Sequence, residues 1–165
     1  MKKLAALLLL LSIPLHAQDG KLIENPLRKI PRWVRDEYFA RHMDQDYDII
    51  FKLYPPYLKG DFNGDRRNDV AIQLHNKTNG KIGIAIFHGK RTQDYRYQVN
   101  VLGAGNMLES AGNDLRWIDI WNIPLEKTKL AASSKGALIK VEQRGGKSGV
   151  IYWTGKKYEW QRIHE

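Results

Sequence analysis

Apolar residues recur at three- to four-residue spacing from position 33 onward: Trp33, Val34, Tyr38, Phe39 and Met43. Arg32, Arg35, Asp36, Glu37, Arg41 and His42 fill the other face. That period predicts an amphipathic helix with Pro31 in its first turn and its end near residues 44–46. Beyond it the period shortens. Ile82, Ile84 and Ile86 fall on one side of an extended chain, and Gly83, Ala85 and Phe87 on the other. With both sides apolar, the segment reads as a strand buried on two faces. Further strands are predicted over 47–54, 70–74, 95–102, 115–123, 137–142, 149–153 and 158–163. Pro55-Pro56, 76–80, 103–106, 112–114, Gly145-Gly146 and Thr154-Gly155-Lys156 separate them as turns. One helix followed by about seven or eight short strands with tight turns predicts an α+β domain, mainly antiparallel, over 31–165. An irregular polar leader occupies 18–30.

The first residues follow a different logic. Lys2 and Lys3 precede an apolar run over 4–11, Pro14 stops any helix, and Leu15-His16-Ala17 offers a small residue for cleavage before Gln18. This is the layout of an export signal over 1–17. The run is well short of the ~20 residues that span a bilayer, and no later stretch is apolar enough to cross one. The expected location is periplasmic or extracellular, and the expected state a monomer. The chain has no cysteine, which excludes disulfides, thiolate metal sites and an acylated lipoprotein cysteine. An exported chain without disulfides relies on its core or on a bound metal.

The 27 basic and 18 acidic residues give a net charge of +9. Loss of Lys2 and Lys3 with the signal lowers it to about +7. Such a balance favours anionic partners, or serves solubility alone. The basic residues stand in short clusters such as Arg66-Arg67, Lys90-Arg91 and Lys156-Lys157, without a long tract.

The sharpest local feature is Asp61-Phe62-Asn63-Gly64-Asp65-Arg66-Arg67-Asn68-Asp69. Oxygen side chains stand at loop positions one, three, five and nine. Ca2+ is a hard cation that takes about six to eight oxygens. A chain curling around it turns alternate residues inward, so Asp61, Asn63 and Asp65 would face one centre. The carbonyl of Arg67 would add a ligand and Asp69 would close the shell. The alternative is an Asx-rich turn that satisfies itself and binds nothing.

The loop resembles the EF-hand-like loops of dockerins and of FG-GAP and VCBS repeats, in which D-x-N-G-D-x-x-x-D precedes an apolar strand. Gly60, Asp61, Phe62, Asn63, Gly64, Asp65, Asp69, Val70 and Ala71 match the FG-GAP form. Arg66 departs from it, since such loops usually place glycine there for the sharp turn. Position twelve is Ile72 rather than a bidentate glutamate, so a helical EF-hand is not supported and the loop is expected between two strands. A wider resemblance takes in 60–69, Leu102-Gly103-Ala104-Gly105, 113–121 and 151–160, and is to small secreted bacterial proteins with FG-GAP- or VCBS-like segments. It implies a β-rich fold and an exported location, but no activity. One such unit cannot close a propeller.

Trp117, Asp119 and Trp121 would share one face of a strand over 115–123. An aromatic face with a carboxylate suits sugar stacking; the alternative is that the tryptophans are core. Asp114 and Asp119 offer at most a weak acid–base pair. The histidines lack zinc spacing and the serines lack a nucleophile-elbow context. Three functional classes remain. One is a calcium-stabilised module that binds a glycan or a protein. The second is a small hydrolase of glycans or phosphodiesters using Asp114, Asp119 or a metal. The third is a binder of anionic polymers.

Overall fold

Pro31 opens the helical segment: its φ of −55° is preset, and the amides of Val34 and Arg35 both bond to its carbonyl. In the computed structural model, which describes residues 26–90, 97–125 and 134–163, helix α1 runs over Arg32–Ala40 and buries Val34 and Tyr38. It stops at Arg41, because His42 takes a left-handed φ of 56°. A single further turn, α2 (Met43–Asp46), buries Met43 and leads into the first strand. The helix expected to continue to 44–46 is therefore two pieces. The export signal expected over 1–17 and residues 18–25 of the leader lie outside the described residues. The remainder of the leader makes a short 3-10 turn, Pro26–Lys29.

Among the described residues, nine strands follow in two antiparallel sheets. The first holds β1 (Tyr47–Ile50), β2 (Tyr57–Gly60), β3 (Asp69–Asn76), β4 (Ile82–Phe87) and β5 (Val99–Gly103). The second holds β6 (Ile120–Asn122), β7 (Ile139–Glu142), β8 (Ser148–Trp153) and β9 (Tyr158–Ile163), paired in chain order. β1 and β2 occupy the same edge of β3. Tyr47 to Ile50 pair with Asn76 to Gln73, and Tyr57 to Gly60 pair with Ile72 to Asp69. They amount to one edge strand with an excursion, residues 51–56, in its middle.

The apolar run of β4 has its cause in the layers on either side. Ala85 and Phe87, with Val70, Ile72 and Leu74 of β3, pack against Val34, Tyr38 and Met43 of the helical layer. Ile84 and Ile86, with Ala71, pack against Ile139, Val141, Ile151, Trp153 and Trp160 of the second sheet. The order of layers is helix, sheet, sheet. The mainly antiparallel β architecture matches the sequence pattern, and β4 falls on the predicted residues.

Two segments differ from the prediction for local reasons. In 47–54 the strand ends at Ile50, since the Leu53 amide bonds to the Gln73 side chain and Pro55 and Pro56 have no N–H to give. In 115–123 only the last part pairs. Asp114 accepts the amides of Ile82 and Arg116, and the amide of Ile118 turns back to the Leu115 carbonyl. The buried residues are Leu115, Ile118 and Trp121, three apart, which is not the two-residue period of a strand. Among the described residues no helix is long and apolar enough to cross a membrane.

Ile84 sits between the sheets with 1% of its surface exposed. Ile84→Ala is expected to lower unfolding stability by about 2–5 kcal/mol. Met107→Ala, at an exposed position, should stay within about 0.5 kcal/mol. Denaturant midpoints of the two variants check the layer assignment.

Candidate metal centre

The 61–69 loop joins β2 to β3, as the sequence pattern requires, and its own side chains wind it. Asp61 Oδ1 accepts the amides of Gly64 (2.7 Å) and Asp65 (3.0 Å), and Asp61 Oδ2 accepts that of Arg66 (2.8 Å). Asn63 Oδ1 also accepts the Asp65 amide (3.0 Å), so the Asp61 and Asn63 oxygens are gathered at one N–H. Asp65 Oδ1 accepts the Arg67 amide (2.9 Å), and its Oδ2 lies 3.4 Å from the Arg67 guanidinium. Two residues adopt left-handed backbone: Gly64 at φ 78° and Arg66 at φ 69°. The sharp turn at loop position six is therefore made, although arginine stands where calcium loops use glycine. A non-glycine residue there costs roughly 1–2 kcal/mol.

Asp69 departs from the expected arrangement. It was expected to close the shell with Asp61 and Asp65. Its carboxylate is fully buried and turned onto backbone. Oδ2 accepts the amides of Phe62 (2.8 Å) and Asn63 (3.2 Å), and Oδ1 accepts that of Gly89 (2.8 Å) at the end of β4. Burial pushes its pKa up to about 6 despite the three N–H donors. Among the described residues, no three His, Asp or Glu side chains form a group that could hold a metal. Asp69 holds the loop from behind.

The loop is also clamped against the strand-forming chain of the second sheet. The Ala137 amide bonds to the Asp61 carbonyl at 2.6 Å. A Cβ on Gly64 would collide with the Lys135 carbonyl, and one on Gly136 with the Phe62 carbonyl. These contacts need glycine for close approach. Phe62, between Asp61 and Asn63, is fully buried in the core shared by both sheets.

The donor chemistry suits a hard cation. An ionised carboxylate has about four acceptor sites, and Asp61 uses three of them on amides. Were Ca2+ to bind, the oxygens of Asp61, Asn63 and Asp65 and the carbonyl of Arg67 are the groups that would hold it.

A second polar cluster stands in the core nearby and carries no sequence motif. His88 Nε2 lies 2.7 Å from the Tyr158 hydroxyl and Nδ1 3.3 Å from Gln98 Oε1, with Trp153 against the ring edge-on. Burial holds the His88 pKa below its ordinary value. Burial, with the carboxylates of Asp69, Asp61 and Asp65, raises that of Tyr158. A lone histidine after an apolar strand gave no sign of this pairing.

The expected sugar-stacking face of Trp117, Asp119 and Trp121 is not formed, because the chain turns at 116–117 and only Ile120–Asn122 is a strand. Trp121 is 1% exposed and donates its indole N–H to the Pro55 carbonyl (2.9 Å). Trp117 packs edge-on against Trp160, with the Lys147 ammonium 4.0 Å from its ring centroid. Asp119 is exposed and accepts the Arg144 amide at 3.0 Å. Asp114 is likewise engaged. Burial would raise its pKa, but the hydrogen bonds from the Ile82 amide and from Arg116 outweigh that and hold it below the ordinary value.

Comparison of the chain with protein-family models, with curated proteins and with solved structures finds no match.

His88 gives a pH prediction with a defined sign. Its folded pKa lies below the unfolded value near 6.5, so its contribution to stability is present above pH 6.5 and is lost as pH falls through the folded pKa. Asp69, raised to about 6, acts in the opposite sense, since its protonation is easier in the fold. The His88→Gln variant keeps a hydrogen-bonding side chain without the titration. The stability difference between wild type and His88→Gln should shrink as pH is lowered from about 7 to 5. Urea midpoints across that range measure it, and a constant difference contradicts it.

Proposed function

We propose that the protein is an exported binding module whose fold is tightened by Ca2+ at the 61–69 loop. The observation that supports this reading best is the loop's backbone. It is left-handed at positions four and six, with the Asp61 and Asn63 oxygens converging on the Asp65 amide. Asp61 and Asp65 also place two carboxylates in the loop, with the Arg67 guanidinium 3.4 Å from Asp65 as the paired cation. Bound Ca2+ would supply further positive charge and tie Asp61, Asn63, Asp65 and Arg67 together. The export signal expected over 1–17 would place the chain outside the cytoplasm, where calcium modules work at dissociation constants of roughly 10⁻⁴–10⁻³ M.

A module is preferred to a hydrolase because of what the two candidate carboxylates do. Asp114 is spent on the Ile82 and Arg116 amides and the Arg116 guanidinium, and Asp119 on the Arg144 amide. Asp114 is held below its ordinary pKa, the opposite of what a general acid at neutral pH needs.

Calcium at about ten times its dissociation constant should stabilise the chelated protein by about 1.4 kcal/mol, a melting shift of about 3–5 °C for a chain of this size. Asp65→Ala should abolish that shift. Arg66→Gly should keep it and raise the metal-free stability by up to about 1 kcal/mol, through relief of the left-handed strain. Calorimetric melts with and without calcium measure all three, and identical melts for the wild type reject the reading.

A further inference from the structure

Between β1 and β2 the chain leaves the sheet edge over residues 51–56 and returns. The excursion is fixed by two buried polar side chains. Gln73 Oε1 accepts the Leu53 amide at 3.0 Å, and Trp121 Nε1 donates to the Pro55 carbonyl at 2.9 Å. Leu53 drops into the core between the sheets. Tyr54, held between these anchors, is turned outward and 89% exposed. A cavity of about 400 Å³ opens beside it, lined by Lys29, Phe51, Lys52, Leu53, Tyr54 and Pro56.

The lining combines two kinds of chemistry. The Lys29 ammonium stands 6.0 Å from the Phe51 ring centroid, and the Lys52 ammonium donates to the Arg116 carbonyl at 3.3 Å. Neither lysine forms an ion pair among the described residues, whereas Lys77, Lys140 and Lys157 do. Two lining lysines without an ion pair among the described residues suit an anion. Phe51, Tyr54 and Pro56 offer apolar surface, and a tyrosine supplies a large, rigid stacking face with a polar tip. Cavities of this size that join apolar walls to a few charged groups are the usual form of small-ligand sites.

We propose that this pocket is the ligand site of the module and that it takes an acidic saccharide. The lysines would hold the carboxylate, sulfate or phosphate, and Tyr54 and Phe51 would pack on the C–H face of the ring. The assignment rests on the reading of the protein as a binding module, and it is independent of calcium.

The test is a two-dimensional amide NMR titration of the full-length mature protein, with and without calcium, using trigalacturonate, a heparin-derived tetrasaccharide, neutral maltotriose and inorganic phosphate. At least one acidic saccharide should give saturable shifts centred on residues 51–56, and maltotriose should not. The double variant Lys29→Ala/Lys52→Ala should weaken binding about tenfold or more. Tyr54→Ala should weaken it severalfold for the saccharide and leave phosphate unchanged. All three side chains lie at the surface, so melts of the variants should match the wild type. No saturable shift with either acidic saccharide overturns the proposal, as does saturation mapping outside the pocket or unchanged affinity in the variants. Phosphate binding as tightly as the saccharides, with Tyr54→Ala neutral, reduces the pocket to an anion site and also overturns it. Loss of the calcium effect with saccharide binding intact would fault the metal reading alone.

Discussion

The carboxylate of Asp69 ties together parts of the chain that are far apart in sequence. It starts β3, yet its oxygens take the amides of Phe62 and Asn63 from the preceding loop and that of Gly89 from beyond β4. A buried carboxylate is tolerated only when its lone pairs are met, and here backbone donors meet them. Phe62 is thereby set into the core, and its carbonyl comes against Gly136 of the chain leading to β7. The two sheets meet through this junction as well as through the apolar layer between them. The raised pKa of Asp69 is the electrostatic cost of that position.

The loop and the pocket lie at opposite ends of β2, which is only four residues long. One end is wound by Asx hydrogen bonds and clamped on the second sheet. The other is the excursion held by Gln73 and Trp121. The excursion interrupts the pairing along one edge of β3 and the loop joins β2 to β3, and at each place buried polar side chains bond the backbone. Those are the places where a sheet can present side chains without losing its register.

The parts of the fold that could be read from the sequence are those where the pattern has one cause. β4 is apolar on both faces because it is covered on both faces, so Ile82 to Phe87 were placed directly. The 61–69 loop was legible because its Asx residues and Gly64 make the turn through local bonds. The predicted helix is too long because Arg41 and His42 carry no breaker residue; the left-handed turn at His42 precedes the buried Met43 and the pairing of β1. β2 was missed because Tyr57 to Gly60 follow two prolines and end in a loop, and only their pairing with β3 makes them a strand. Trp117 and Trp121 misled because tryptophan suits a sugar platform and a core equally well. The three-residue spacing of Leu115, Ile118 and Trp121 was the better signal. Tertiary partners such as Gln73 for Leu53, Tyr158 for His88 and Gly89 for Asp69 leave no local trace at all.

If the loop is the calcium-responsive joint between the sheets, its filling should be felt well beyond residues 61–69. The direct measurement is native-state amide hydrogen exchange with and without calcium, followed at Phe62 and Gly89, whose amides Asp69 holds, and at β8 and β9. Calcium is predicted to slow exchange at all of these sites together, by a similar factor in both sheets. Slowing confined to the amides of 62–67, or no change anywhere, would contradict the account.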